Sequence, residues 1–444
     1  MKPRPRLVLK VVTRALCAGL LWHSQGAMAI GLMQAYEAAL INDPAYRAAF
    51  YSNEAGKENR ALGMSNLLPQ VSASWNGSQN RTTLSQGAFS VPRDYISRSA
   101  LLQVRQTLFN LDGWARFKQG AAQSNYAAAQ FDSQKQEVIY RVSNAYLDVL
   151  FKRDLLELAK VERDMYLEQR AVNDRTFAKG EGTRTDMLET QARLDVAEAQ
   201  VIESEDALRA SLTTLSAIVG AEVDSVDGLA PDFRLREADG KPFEYWKKIA
   251  IETNPDIKTL TYGIEIADQE VRKAYAGHAP RIDAVGTYGK TASDSINTFN
   301  QDQKIRSIGI QVNIPLYSGG VVSAQARQAV ANREKARADL QTQTDKTLLE
   351  LRRDYDVLAS SVKRVDALVK SVASSETLIT ATEQSIKGGV RINLDALNAK
   401  RQLYTNKRDL AQARYNYLLT SLRMRASVGT LNESDVRETA AYFR

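Results

Sequence analysis

The sequence predicts a mainly α chain with a β-barrel contribution, built as long antiparallel coiled-coil hairpins in two tandem repeats with four strands per chain. Three observations carry this. The chain repeats itself at a nearly constant offset, each copy holds a proline-free run of some 66 residues, and each copy places two alternating segments before that run.

The repeat rests on five landmarks that keep their order. Asn42-Asp43-Pro44 returns as Thr253-Asn254-Pro255, and Leu68-Pro69-Gln70 as Ala279-Pro280-Arg281, both prolines displaced by 211. Gln103-Val104 with Leu108-Phe109 returns as Gln311-Val312 with Leu316-Tyr317. Lys179-Gly180 with Asp186 matches Gly388-Gly389 with Asp395, and Val219-Gly220 matches Val428-Gly429, displaced by 209. The copies span 31–220 and 243–429. Between them the linker 221–242 carries Gly228, Pro231, Gly240 and Pro242 and breaks helix. A tail, 430–444, follows.

Each copy reads alike. A helix starts at the proline, which suits a first helical position, and runs to about Met64 or Gly277. Two strands follow. Val71, Ala73 and Trp75 alternate with polar neighbours, and Leu102 and Val104 alternate with Gln103 and Arg105. In the second copy Ile282, Ala284 and Tyr288, then Ile308, Ile310 and Val312, do the same against Gln311 and Asn313. The polar stretches 80–94 and 291–305 read as loops, leaving strands of 12–15 residues. Then come the long helices, Gly113 to about Ala178 and Gly320 to about Ile386. At about 1.5 Å per residue, 66 residues make roughly 99 Å of helix. Glycine-rich turns lead into return helices with a seven-residue seam: Leu194, Val201, Leu208 and Leu215, then Leu403, Leu410, Tyr417 and Met424.

The first 29 residues read as a secretory signal peptide. Lys2, Arg4, Arg6, Lys10 and Arg14 precede a short apolar stretch, Ala15 to Trp22, and an Ala27-Met28-Ala29 end. Its removal takes five of the 59 Lys+Arg and none of the 52 Asp+Glu, so the mature chain is nearly neutral at +2 and offers no nucleic-acid footprint. Cys17 goes with it, and His278 is the one histidine left. That argues against disulfides, zinc sites and histidine-dependent triads, so no catalytic residue, metal or cofactor is expected, and the chain is not read as an enzyme.

No mature segment has 18 consecutive apolar residues, so a membrane-spanning helix is excluded and any membrane passage must be a barrel. Four strands cannot close one. Three chains pooling their strands would supply twelve, an even number in the outer-membrane range. On that reading Val71, Ala73, Leu102, Val104, Ile282, Ile310 and Val312 face lipid, while Gln103, Arg105, Gln311 and Asn313 face a wet lumen. The alternative from patterning is a small soluble sheet on a coiled-coil stalk, a structural or adaptor protein of the periplasm.

The order of helix, two strands, long helix and return helix resembles the TolC-like family of outer-membrane channels over nearly all of the mature chain. The residues that carry the resemblance include Leu68-Pro69, Phe109 with Gly113, Pro315-Leu316-Tyr317-Ser318-Gly319-Gly320, Arg391, Asp395, Leu397, Arg414-Tyr415-Asn416-Tyr417-Leu418 and Gly429-Thr430-Leu431. The start, Ala35-Tyr36-Glu37-Ala38-Ala39-Leu40 with Asn42-Asp43-Pro44, is most similar to the branch serving type I secretion of proteases. The resemblance implies a homotrimer in outer-membrane lipid, extending into the periplasm. The linker and tail would pack around the middle of its tunnel. A periplasmic adaptor (membrane fusion) protein would couple it to an inner-membrane ABC transporter, and an exported protein would be the cargo. Small-molecule efflux is the alternative cargo class. No P-loop occurs, so ATP use belongs to a partner.

The resemblance also implies a gate. The helix reversals at Gly180-Glu181-Gly182 and Gly388-Gly389 would form the tip that meets the adaptor. Arg391 and Asp395 match family positions at the closed end, with Asp186 in the place of Asp395 in the first repeat. Asn398 stands where a second acid would ring the pore, and Ile386 where a tyrosine would help the latch. The expectation is a weakened cation filter and a latch resting on an Arg391–Asp186 pair.

Overall fold

The computed structural model describes residues 29–230, 233, 235, 240–293 and 301–444. The signal peptide expected over 1–29, Ala29 aside, and part of the linker lie outside the described residues. The elements in order are α1 (Leu32–Asn42), α2 (Pro44–Lys57), α3 (Asn59–Ser65), β1 (Gln70–Gln86), β2 (Phe89–Phe109), α4 (Leu111–Ala178), α5 (Arg184–Val219), α6 (Phe243–Thr253), α7 (Pro255–Ala276), β3 (Arg281–Ser293), β4 (Gln301–Asn313), α8 (Val321–Lys387), α9 (Asn393–Val428) and α10 (Glu433–Ala440). They fall into two units. One comprises the described residues to Arg47 with Lys135–Lys247 and Glu350–Arg444; the other comprises Ala48–Gln134 and Lys248–Leu349. Among the described residues no helix is long and apolar enough to cross a membrane.

The Asn/Asp-Pro landmarks are helix starts with a defined chemistry. Asn254 accepts from the backbone N–H of Asp256 and Ile257, with Pro255 next in the first helical position. Asp43 does the same for Ala45 at 3.0 Å, and its buried carboxylate also pairs with Arg141. The sequence reading ran one helix from Pro44 to Met64. The structure divides that stretch at Glu58 and adds the unread helices α1, α6 and α10.

In the strand-bearing unit the four strands form one antiparallel sheet in the order β1-β2-β3-β4. The pairing runs Val71↔Val104, Leu102↔Tyr288 and Ala284↔Ile310, with one irregularity between Thr107 and Phe109. The stretch 80–94 is not a loop. β1 and β2 extend to 17 and 21 residues and leave a two-residue turn at Gly87. Polar side chains sustain the extension by bonding across the ladder: Ser78 with Ser97 at 2.7 Å, Asn80 with Ser97 at 3.0 Å, and Arg81 with Asp94 at 3.1 Å. Residues 291–293 and 301–305 are likewise strand, and 294–300 lie outside the described residues. Against the sheet's helices, backbones approach closely at glycine. A Cβ at Gly120 would sit 2.2 Å from the carbonyl oxygen of Asn59, so only glycine fits between α3 and α4.

The helical unit holds the main core. Val138, Val142, Ala145, Tyr146 and Val149 of α4 pack with Leu32, Leu215, Leu418 and Leu422. Linker and tail close over it. Leu229 pairs with Phe443, the backbones of Gly228 and Arg444 exchange hydrogen bonds, and the Phe443 ring stands edge-on to Tyr146 at 5.4 Å. The seam of α5 is buried at Leu194, Val201 and Leu215 and half-buried at Leu208; in α9 Tyr417 and Met424 are buried, while Leu403 and Leu410 are half-buried. One carboxylate sits deep in the packing. Burial pushes the Asp154 acid up, and the Tyr415 hydroxyl opposes this by donating to it at 2.7 Å.

Candidate functional site

The two helix reversals of the helical unit are built differently. In the first, α4 ends at Ala178 and Gly180 takes φ +80, a conformation that leaves glycine unstrained. Glu181 donates back to the Thr176 carbonyl at 3.1 Å. Gly182 lies so close to the Phe177 backbone that a Cβ would come within 3.0 Å of its nitrogen. Thr183 then caps α5: its hydroxyl accepts from the Asp186 N–H at 3.1 Å and donates to the Asp186 carboxylate at 2.6 Å. Asp186 is therefore engaged in its own turn.

In the second reversal Gly389 takes φ +72, and Val390 donates to the Ser385 carbonyl at 3.0 Å. The residue at the cap position of α9 is Ile392, which offers no side-chain acceptor. Val390 is 82% exposed and Ile392 63%. Arg391 is exposed and, among the described residues, joins no ion pair within the chain. Among the described residues the expected Arg391–Asp186 pair is not made within one chain; the Asp186 carboxylate meets the Thr183 hydroxyl instead. Asp395 lies half-buried in the first turn of α9, where the helix N-terminus favours its charge. Asn398 accepts from Arg193 at 3.2 Å and so joins α9 to α5.

Behind the reversals lies a polar layer that the sequence reading missed. Thr190, with no exposed surface, accepts from Asn173 at 2.8 Å and from Asn393 at 3.3 Å. Gln169 donates to Asn393 at 2.7 Å and accepts from Lys400 at 3.3 Å, and Lys400 reaches Glu383 at 3.4 Å. Residues of α4, α5, α8 and α9 are tied in one network. The signal was in the seam. Stepping back four residues from Leu194 gives Thr190; stepping back seven and three from Leu403 gives Ala396 and Asn393. Polar residues at such core positions fix register at some cost in stability.

The sheet sorts the other predicted residues. Val71 faces Val104 across the ladder, Ala73 faces Leu102, and Ile282 faces Val312, while Ile310 lies opposite Ala284. Through the β2–β3 pairing, all seven share one face with Trp75, Tyr288 and Ile308. Gln103, Arg105, Gln311 and Asn313 lie on the other face, where Arg105 donates to Gln311 at 3.4 Å and Thr107 to Asp283 at 3.1 Å. The sheet's outer strands, β1 and β4, have one partner each within the chain.

Comparison with known proteins gives this geometry a family. The sequence model of the outer membrane efflux protein family matches twice, over residues 35–221 and 246–430. The chain is 38% identical to the alkaline protease secretion protein AprF of Pseudomonas aeruginosa, over 98% of this chain and 92% of that protein. It is 35% identical to the proteases secretion protein PrtF of Dickeya chrysanthemi, over 99% and 96%. Its fold matches the solved outer membrane protein VceC of Vibrio cholerae with a TM-score of 0.78 at 17% identity, covering 90% of this chain and 96% of that one. The chain belongs to the outer membrane efflux protein family, whose TolC-like channels sit in the outer membrane and extend into the periplasm.

Proposed function

We propose that this protein is the passive outer-membrane duct of a type I, tripartite export system, and that its cargo is a secreted protein. One observation carries the reading: a four-stranded sheet, apolar on one face and polar on the other, ends on two unclosed edges in a chain that matches protease secretion proteins over nearly its whole length. An unclosed edge is not tolerated in lipid, and pooling strands in a homotrimer closes the sheet at twelve. The proposed organisation is a signal peptide at 1–29, repeats at 31–220 and 243–429, the linker 221–242 and the tail 430–444; the double family match supports the repeats.

In this reading Val71, Ala73, Leu102, Val104, Ile282, Ile310 and Val312 meet lipid and the Gln103 face lines the lumen. The gate comprises Asp186, Arg391, Asp395 and Asn398. The turns at Gly180, Gly182, Gly388 and Gly389 meet a periplasmic adaptor, which links the duct to an inner-membrane ABC transporter. Arg391 and Asp395, which join no ion pair among the described residues, supply charges that act around the three-fold axis. A ring of three Asp395 carboxylates attracts cations and repels anions.

The test is replacement. In a cell whose protease-secretion channel has been deleted, with its adaptor and transporter kept, this chain should restore protease to the medium. Protease retained in the cell, with export of a small dye restored, would assign the chain to small-molecule efflux instead. The facing is tested separately. A lipid-facing charge near the midplane costs about 2–4 kcal/mol, so Val104→Arg should lower trimer yield far more than Gln103→Arg. Equal yields would reassign the sheet to water.

A further inference from the structure

Where the sheet hands over to helix, α4 and α7 leave a groove of about 570 Å³. Leu111, Trp114 and Lys118 line it from α4, and Gln269, Arg272 and Tyr275 from α7. The spacing puts each set on one helix face. The groove starts two residues beyond the last residue of β2 and ends five residues before the first of β3. We infer that this groove is a binding site for the anionic headgroup of a phospholipid in the periplasmic leaflet of the outer membrane.

Three observations favour this occupant. Lys118 and Arg272 are exposed, line the same groove and, among the described residues, join no ion pair, so two positive charges border it without a salt-bridged partner. An anion with oxygen acceptors answers both. The rest of the wall is amphipathic: Trp114 and Tyr275 are 51% and 58% exposed, with Leu111 beside them. Aromatic rings of this kind settle at the boundary between hydrocarbon and headgroups. The Gln269 side-chain oxygen is buried with no hydrogen-bond partner, an acceptor waiting for a donor such as a headgroup hydroxyl or ammonium. A free anion would use the two cations and leave the apolar wall wet. A phospholipid satisfies both parts, with its phosphate on Lys118 and Arg272 and its acyl chains continuing along the apolar face of the sheet.

The groove also lies beside strands interior to the protomer's own sheet. In the order β1-β2-β3-β4 the strands joined to α4 and α7 are the central pair, β2 and β3. Neighbouring protomers add at β1 and β4, so trimer closure does not involve this pair. One headgroup per protomer follows, three around the trimer. The inference rests on the outer-membrane barrel reading above.

Two measurements test it. In native mass spectrometry of the detergent-purified trimer, phosphatidylglycerol should be retained at up to three per trimer and phosphatidylcholine released. In Lys118→Gln with Arg272→Gln, phosphatidylglycerol should bind roughly thirtyfold more weakly, each basic side chain near an anionic lipid being worth about a factor of five. The control Lys363→Gln with Lys370→Gln should bind as wild type. Equal retention by the groove variant and wild type overturns the site, as does displacement by millimolar inorganic phosphate alone, which would mark a free-anion site. The second measurement reads position in liposomes without removing the cations. With Trp246→Phe, brominated phosphatidylglycerol should quench both Trp75 and Trp114, and Trp75→Phe and Trp114→Phe in that background assign the two signals. Quenching of Trp75 alone overturns the groove and leaves the barrel standing. Quenching of neither overturns both.

Discussion

The two helix reversals are sequence counterparts, yet the chain finishes them differently. The first is closed by its own residues: Thr183 caps α5 and exchanges two hydrogen bonds with Asp186. The second keeps a helix start without a side-chain cap at Ile392, two exposed branched apolar side chains and an exposed Arg391 that, among the described residues, joins no ion pair. A turn whose polar groups are satisfied internally has little reason to change state. One that presents an unpaired charge and bare apolar surface gains by meeting something else. Both repeats keep the backbone reversal, but they complete it with different side chains. In the reading proposed here, the first repeat supplies a fixed post and the second a movable contact. The polar layer around Thr190 ties the two together, since Asn173 beside the first reversal and Asn393 beside the second both donate to its hydroxyl.

The largest effect is expected from removing what the reversals share. Thr190→Ala removes from a buried layer the hydroxyl that accepts from both Asn173 and Asn393. A cost of about 1–3 kcal/mol is expected, read as a lower denaturation midpoint and faster amide exchange at both turns. Exchange that rises at one turn only would show that the layer does not couple them. Changes at the two caps should act in opposite directions. Thr183→Ala should cost about 1 kcal/mol and make the first reversal exchange like the second. Ile392→Thr should slow exchange at the second reversal, supplying the acceptor that α9 lacks. No change in either would mean that caps do not set the asymmetry. The smallest effect is electrostatic. Asp395→Ala should reduce cation selectivity in single-channel reversal potentials, while Asp186→Ala, whose carboxylate is already bonded, should reduce it less. Equal losses would erase the distinction between the two acids.

Much of this was legible in the sequence for a physical reason. Period-two alternation put Val71, Ala73, Leu102 and Val104 on one face, and the register agrees, because a strand has only two faces and burial chooses between them. The heptad seam located the return helices to within a few residues for the same kind of reason. What escaped depends on partners far apart in the chain. The extension of β1 and β2 through 80–94 looked like loop because its residues are polar. Those residues bond across the ladder, as Arg81 does to Asp94, and pairing partners cannot be read from one strand. Nor could the sequence show that Asp186 bonds to Thr183, three residues before it, and that within the described residues of one chain it makes no ion pair with Arg391. The polar layer needs four helices brought together before Asn393 and Lys400 have any visible purpose. The groove of Lys118 and Arg272 is of the same kind, since its two walls are separated by the whole of α5 and α6 in the chain.

Whether the second reversal forms the gate is decided by single-channel recording of Arg391→Glu in a planar bilayer, with wild type and Thr183→Ala measured beside it. Wild type should insert as a channel of small conductance. Arg391→Glu should raise that conductance several-fold by reversing the charge at the second reversal, and Thr183→Ala should change it little. Conductance in Arg391→Glu equal to that of wild type would contradict the account and place the constriction elsewhere in the duct.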